Sequence, residues 1–303
     1  MRKLSGFYVF FVLGAATLTV RAILDSSFRN STLLYILVPF VISIALHLGI
    51  PVSEGDRPVQ RYGRHLLYAT IIFLGSSAIL FEGFLCVLFF MPIYYLMVTI
   101  GFIFSWLADR GNDGGHAGAY AIPLAVVLLA AEGLAPPTTV PRHNEATWVE
   151  TLPGSPARLQ ANMARPIVFD GARPWFLRVF PLPTRAQTGS LQAGDVHRLH
   201  FVYKKWFFTN YQEGDMAIRI AEVTPRRIRT EIVRNDSYLS HYMRIEGTEV
   251  RFDDVGGGRT RVSLTVKYER LLDPAWYFGP MERLAARQSA RYLIDTIIAR
   301  EGS

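Results

Sequence analysis

Residues 258–297 read GRTRVSLTVKYERLLDPAWYFGPMERLAARQSARYLIDTI, and the two halves of this stretch carry different periods. From Thr260 to Arg270, Val262, Leu264, Val266 and Tyr268 alternate with Arg261, Ser263, Thr265, Lys267 and Glu269, which puts every apolar side chain on one face of a strand. Asp273-Pro274 and Gly279-Pro280 then break the chain, and residues 281–300 contain no Gly or Pro. Within them Met281, Leu284, Ala285, Gln288, Tyr292, Ile294 and Ile298 approximate a helical stripe. A strand with one apolar face followed by a helix with one apolar face calls for a layered packing of the two.

Working upstream, Gly256-Gly257-Gly258 reads as a hairpin connection, with strands expected at Thr248 to Phe252 and Tyr238 to Ile245 before it. Arg227 to Val233 presents Ile228, Thr230 and Ile232 opposite Arg227, Arg229 and Glu231, and Met216 to Glu222 alternates in the same way. From Asp195, His197, Leu199, Phe201, Tyr203, Lys205 and Phe207 share one face, with Val196, Arg198, His200, Val202, Lys204 and Trp206 on the other. Thr147 to Leu152 reads as a first strand, Ser155-Pro156 as the cap and first turn of a short helix to about Met163, and a proline-rich stretch follows to about Thr188. The expectation is an α+β domain over residues 147–303: a curved antiparallel sheet around a long C-terminal helix, with room for a cavity between them.

Residues 1–137 obey a different rule. The chain's 303 residues carry a net charge of +7, yet residues 1–138 hold eight Lys/Arg and seven Asp/Glu against twenty-four and eighteen in the remainder. Phe7 to Leu24 and Thr32 to Ile50 are apolar runs near the roughly 20 residues that cross a bilayer. Leu66 to Leu107 is apolar for forty-two positions save Glu82, long enough for two spans reversing near Glu82-Gly83, and Ala119 to Leu134 is a shorter fifth run. The composition therefore predicts an all-α transmembrane bundle of about five spans, a linker at 138–146, and the sheet domain beyond it. The first run also has the basic start and apolar stretch of a signal peptide. Arg2, Lys3, Arg57, Arg61, Arg64 and Arg110 flank one side against Arg21, Arg29 and Arg142 on the other, which places the N-terminus in the cytoplasm and the second domain outside it. Glu82, Glu132 and His47 stand at or near run ends and read as interfacial groups, and the single cysteine, Cys86, lies inside an apolar run and reads as a small hydrophobe.

The order of elements, the strand GRTRVSLTVKYER after a glycine hairpin and the closing LLDPAWYFGPMERLAARQSARYLIDTI together resemble the START-like superfamily, which includes polyketide cyclases and aromatases, coenzyme Q-binding proteins and lipid-transfer domains. The resemblance covers about residues 145–300 and no part of the apolar half. It implies a helix-grip fold whose cavity, between the sheet and the last helix, accepts a hydrophobic molecule. No fixed catalytic constellation unites that superfamily, so it assigns no catalytic residue here. Pro166 to Thr188 departs from a compact version of the fold.

The motifs that would mark other chemistries are absent. The chain has no His-Glu-x-x-His, Cys-x-x-Cys, Gly-x-Ser-x-Gly or phosphate-binding glycine loop, so neither a metal nor a cofactor is expected, and it has no nucleic-acid module. The candidate ligand cavity is Leu199, Phe201, Tyr203, Lys205, Phe207, Arg234, Tyr242, Tyr268 and Trp276, since these supply large apolar faces with a few polar tips. Lys205, Arg234 and Arg270 are placed by parity beside the apolar residues of their strands. Lys204, Arg226, Arg227 and Arg229 form a candidate basic surface for anionic headgroups. The expected partners are membrane lipids and a hydrophobic small molecule. The expected function is membrane-anchored binding or transfer of a lipid or isoprenoid. The alternatives are a cyclase-like enzyme in which Tyr203, Lys205 or Arg234 polarises a carbonyl, and a tethered protein-interaction module.

Overall fold

The computed structural model describes residues 30–51, 55–79, 84–110, 117–133, 138–167, 169, 174–181, 183–187, 190–204 and 211–300. The chain divides into two compact units: Met1–Val140 with Leu272–Tyr277, and Pro141–Leu271 with Phe278–Ser303.

The first unit is helical. Among the described residues its helices are α1 (Leu33–Gly49), α2 (Pro58–Ile79), α3 (Phe84–Arg110) and α4 (Ala117–Ala130). Phe73, Val98, Tyr94 and Ala69 are buried together between α2 and α3. Several hydroxyls and a histidine inside this unit are hydrogen-bonded within it. The Ser43 hydroxyl donates to the Val98 carbonyl at 2.7 Å, so its lone pairs are left for the proton on His65 Nε2, 2.8 Å away. Thr70 donates to the Leu66 carbonyl and meets the Tyr95 hydroxyl at 2.7 Å, and the Tyr94 hydroxyl donates to the Ala69 carbonyl at 2.8 Å. Small residues let α1 and α3 approach closely: a Cβ at Gly101 would stand 2.6 Å from Ser43 Cβ.

Among the described residues one helix, Val87–Asp109, is long and apolar enough to cross a membrane, and Leu33–Gly49 and Ala121–Ala130 are apolar but shorter. The expectation of about five spans is not met there. The continuous apolar run from Leu66 extends a helix that opens with Arg61, Arg64 and His65, which lowers its hydropathy, and α4 is only 14 residues. Residues 7–24, Glu82 and the side chain of Cys86 lie outside what the structure describes. His47 bonds Asp109 Oδ2 through Nε2 at 2.8 Å, and Glu132 accepts from the Ala275 N–H at 2.7 Å within the same unit.

The second unit is a seven-stranded sheet, antiparallel throughout, in the order β1-β7-β6-β5-β4-β3-β2. Its elements are β1 (His143–Pro153), α5 (Pro156–Met163), β2 (Pro183–Gln187), β3 (Val196–Lys204), β4 (Tyr211–Thr224), β5 (Arg227–Asn235), β6 (Met243–Gly256), β7 (Arg259–Arg270) and α6 (Ala275–Leu293), extended by a π turn over Ile294–Ile298. The hairpin between β6 and β7 is tight because Gly256, Gly257 and Gly258 all take positive φ, which a side chain would disfavour. The expected alternation holds: Val262, Leu264, Val266 and Tyr268 on β7 and His197, Leu199, Phe201 and Tyr203 on β3 are buried. Ala286, Ala290, Ile294 and Ile298 pack from α6 and its extension onto Val262, Leu264, Val266 and Phe252, and the two alanines allow the helix to lie close to the sheet. This is the helix-grip arrangement.

Three local readings are corrected. The two strands expected over 238–252 are a 3-10 turn at Tyr238–His241 followed by one long β6, whose register shifts between Ile245 and Gly247. At that bulge a Cβ on Gly247 would come within 2.1 Å of the Thr230 carbonyl oxygen, so only glycine fits. The last helix starts at Ala275 rather than Met281, running through Gly279 and Pro280 at the loss of one backbone hydrogen bond. The proline-rich stretch contains strand β2 and a 3-10 turn at Trp175–Val179, neither of which has a periodic signature.

Candidate ligand cavity

Between the sheet and α6 lies a cavity of about 190 Å³. Leu199 and Phe201 from β3, Met216, Ile218 and Ile220 from β4, Ile232 from β5, Val250 from β6 and Leu264 and Val266 from β7 form its sheet wall. Ser289, Tyr292, Leu293, Ile297 and Ile298 close it from the helix side, with Met163, Ile167, Phe169 and Pro181 at another edge. Among the described lining residues none is Asp, Glu, Lys or Arg. Its polar side chains are His197, Thr230, Thr248, Ser289 and Tyr292. The Thr230 and Thr248 hydroxyls are 2.8 Å apart, and Thr230 Oγ1 also accepts from the Thr248 N–H at 3.1 Å, so this pair is internally satisfied. His197 Nε2 lies 3.1 Å from the Ser190 carbonyl oxygen. A carbonyl only accepts, so Nε2 carries a proton.

The residues expected to form the cavity are divided by the fold. Leu199 and Phe201 line it. Lys205 and Phe207 lie outside the described residues. Tyr203 is buried but stacks on Tyr238 at 5.0 Å, and the Tyr242 hydroxyl donates to that of Tyr238 at 2.6 Å, so both tyrosines belong to an aromatic cluster around the Tyr238–His241 turn and not to the cavity wall. Tyr268 belongs to the main core under α6. Its phenol is pushed above the ordinary tyrosine value by burial first and by the Glu282 charge second, against a hydrogen bond from Arg283. Arg270 is buried near this group, its backbone N–H donating to the Arg142 carbonyl at 2.7 Å. Trp276 is half exposed and belongs to the helical unit.

Arg234 points to solvent and bonds Asp236 Oδ2 through Nε at 2.5 Å. Parity placed it beside Ile232, but Ala217 pairs with Arg234 while Ile218 pairs with Ile232, so β5 carries one extra residue there. That bulge reverses the faces beyond it. The basic surface is likewise not one surface. Lys204 pairs with Tyr211 at one end of β4 and Arg227 with Thr224 at the other, thirteen residues or about 43 Å apart at ~3.3 Å per strand residue. Arg227 is held by both Glu222 oxygens at 2.6 and 2.8 Å, Arg229 lies 3.7 Å from Glu231, and Arg226 is exposed in the turn.

His197, Ile218 and Val266 were visible as members of apolar strand faces, and Tyr292 as part of the helical stripe. Ile167, Phe169 and Pro181 had no signal, since they come from an aperiodic segment.

No family model and no curated protein matches this chain. Among solved structures it is similar to a norcoclaurine synthase point mutant from Thalictrum flavum in complex with a transition-state analogue, at 10% identity over 53% of this chain and 94% of that one, with a TM-score of 0.35. A START superfamily protein from Mycobacterium smegmatis is 12% identical over 52% of this chain and 95% of its own, at TM-score 0.35. A protein from Chromobacterium violaceum is 16% identical over 52% and 99% of the respective chains, at TM-score 0.34. The helix-grip description rests on this chain's own strand pairing.

Proposed function

We propose that this chain is a membrane-anchored binding protein that holds a hydrophobic small molecule in the helix-grip cavity and presents or transfers it at a bilayer surface. The observation that carries the reading is a cavity of about 190 Å³ whose described lining residues include no Asp, Glu, Lys or Arg. An engineered dry cavity of roughly 150 Å³ takes up benzene, whereas pockets for drug-sized ligands run from roughly 300 Å³ upward. The cavity therefore suits one ring or a segment of one chain, so an isoprenoid or single-chain lipid fits it better than a two-chain lipid. The helical unit supports the anchoring: Val87–Asp109 has the length and hydropathy of a span, and leucines stand exposed on α2 and α4. Anchoring raises the local concentration of lipid-soluble ligands, so modest affinity keeps the cavity filled. With the five spans expected from the sequence, the Lys/Arg count of the flanking segments puts the sheet unit outside the cytoplasm.

Native mass spectrometry of the full chain in detergent, paired with organic extraction, tests the reading. A hydrophobic molecule bound at one per chain and lost in Ile232→Trp, which fills the cavity, is the expected result. An empty wild-type protein that also fails to take up an added hydrophobic fluorophore would remove the binding reading and favour a protein-interaction module.

A further inference from the structure

Tyr292 is 3% exposed, and its hydroxyl, shut off from solvent, has no hydrogen-bond partner among the described residues. Buried tyrosine hydroxyls ordinarily have one, because the group leaves water hydrogen bonds behind. The ring lines the cavity and packs with Phe169, Leu177, Leu199, Phe201 and Met216, whose side chains offer no oxygen or nitrogen acceptor. The nearby polar side chains of the wall are committed elsewhere, Thr230 to Thr248 and His197 Nε2 to the Ser190 carbonyl. Ser289, three residues before Tyr292 on the same face of α6, is the one other hydroxyl on the helix side of the cavity among the described residues.

We propose that Tyr292 is the hydrogen-bonding anchor of the cavity, donating to an oxygen of the ligand. The ligand is then a compact, neutral, oxygen-bearing hydrophobe: a ketone, an ether, an alcohol or a phenol. A pure hydrocarbon would leave the Tyr292 hydroxyl unpaired, and a carboxylate would bury its charge against a wall whose described residues include no cation. This inference rests on the binding reading above and adds the ligand's polarity to it.

The test uses the full chain in one detergent and a matched probe pair, acetophenone and ethylbenzene, which have similar shapes and differ in the carbonyl. Each is titrated by calorimetry into wild type and into Tyr292→Phe, so that partition of the probe into micelles cancels. Wild type is expected to favour acetophenone, and Tyr292→Phe to lose about tenfold of that affinity, the worth of one hydrogen bond, with ethylbenzene unchanged and the Tm not lowered. If ethylbenzene binds and acetophenone shows no advantage that the variant removes, the anchor is overturned and the cavity reading stands. A lowered Tm with unaltered binding of both probes would show that a group of the chain itself holds the hydroxyl, which also overturns the anchor. If neither probe binds wild type, the cavity reading fails and the anchor with it.

Discussion

The two units place polar groups by opposite rules. In the sheet unit, the interior is mainly apolar, as with Ile228, Phe252, Val262 and Leu264, with Arg270 and Glu282 as buried exceptions, while exposed charges pair on the outside, as in Arg219 with Glu231 at 2.9 Å. In the helical unit, hydroxyls and a histidine bond one another inside, while Leu67 at 58%, Leu124 at 61% and Leu128 at 66% face outward. Water rewards the first arrangement. A hydrocarbon surround rewards the second, because polar groups there must be satisfied within the protein. The proposed anchoring is the statement that this inversion reflects two different solvents, and the contrast can be attacked from either side.

The largest expected effect is in the sheet core. Phe252 is fully buried at the centre of the cluster that joins β6, β7 and α6. Phe252→Ala should cost about 3–5 kcal/mol, a large share of the roughly 5–15 kcal/mol that holds a domain folded. Denaturant titration of the full chain, followed by near-ultraviolet circular dichroism, measures it. A loss below about 1 kcal/mol would mean that the sheet unit is not organised around this core.

The next test goes to the outer face of the helices. Leu128→Arg on α4 replaces an exposed leucine, a change that is close to neutral on a wetted surface. Facing lipid it costs up to the roughly 2.5–3.5 kcal/mol that an arginine costs at the centre of a span. The fraction of protein that resists alkaline extraction from membranes should therefore fall well below wild type. An unchanged fraction would put this face of α4 in water and break the comparison.

How much of this was legible in the sequence follows from the same contrast. Alternation on β3 and β7 reads directly because burial on one face leaves a period of two, and Tyr292 shows in the stripe of α6 for the equivalent reason. The bulge at Val233 does not read, since nothing in Arg227 to Asn235 marks the extra residue that turns Arg234 outward. Nor does the separation of Lys204 from Arg226: sequence proximity of charges says nothing about which end of a 14-residue strand each will meet. Tyr203 and Tyr242 are expected in the cavity but stand in the aromatic cluster around Tyr238, because ring type alone does not separate a cluster that fills itself from a wall that leaves space. In the apolar half the count of residues per run measured hydrophobicity without locating helix ends, and charged first turns such as that of α2 shortened what a span requires.

A third test addresses how the helical unit packs. Gly101 on α3 lies so close to α1 that an added Cβ would meet Ser43 Cβ at 2.6 Å and the Phe40 carbonyl oxygen at 3.1 Å. Gly101→Ala should destabilise this unit by about 1–3 kcal/mol through overpacking and loosen the Ser43 bonds to His65 and Val98. Pairing it with Ser43→Ala would restore little, because the Cβ of residue 43 remains. Thermal aggregation of the detergent-solubilised variants ranks them. A Gly101→Ala protein as stable as wild type would show that α1 and α3 do not interlock at this point.

The smallest expected effect concerns the charges on the sheet. Glu249 on β6 accepts from Arg251 Nε at 2.7 Å and lies 3.5 Å from Lys267 Nζ on β7. The Arg251 hydrogen bond is the main cause that holds its carboxyl below the ordinary carboxylate range, and partial burial opposes it. A carboxyl depressed in the folded state binds its proton more readily when unfolded. Its stabilisation is thus fully present above the unfolded value of about 4.3 and is lost as pH falls through the lower folded value. Arg251 and Lys267 are largely solvent-exposed, so the pair is worth about 1 kcal/mol or less at neutral pH and shrinks with added salt. Glu249→Gln should therefore lower the urea midpoint slightly at pH 7 and leave the difference from wild type close to zero well below pH 4. The hydroxyl pairs of the helical unit, Thr70 with Tyr95 and Tyr62 with Thr99, are hydrogen bonds between hydroxyls, with no ion pair for salt to screen. Replacing Thr70 by Val should accordingly shift stability by an amount independent of salt and of acid. A Glu249→Gln difference that persisted unchanged at low pH and high salt would show that Glu249 contributes as a neutral hydrogen-bonding group, and the electrostatic half of the contrast between the two units would have to be withdrawn.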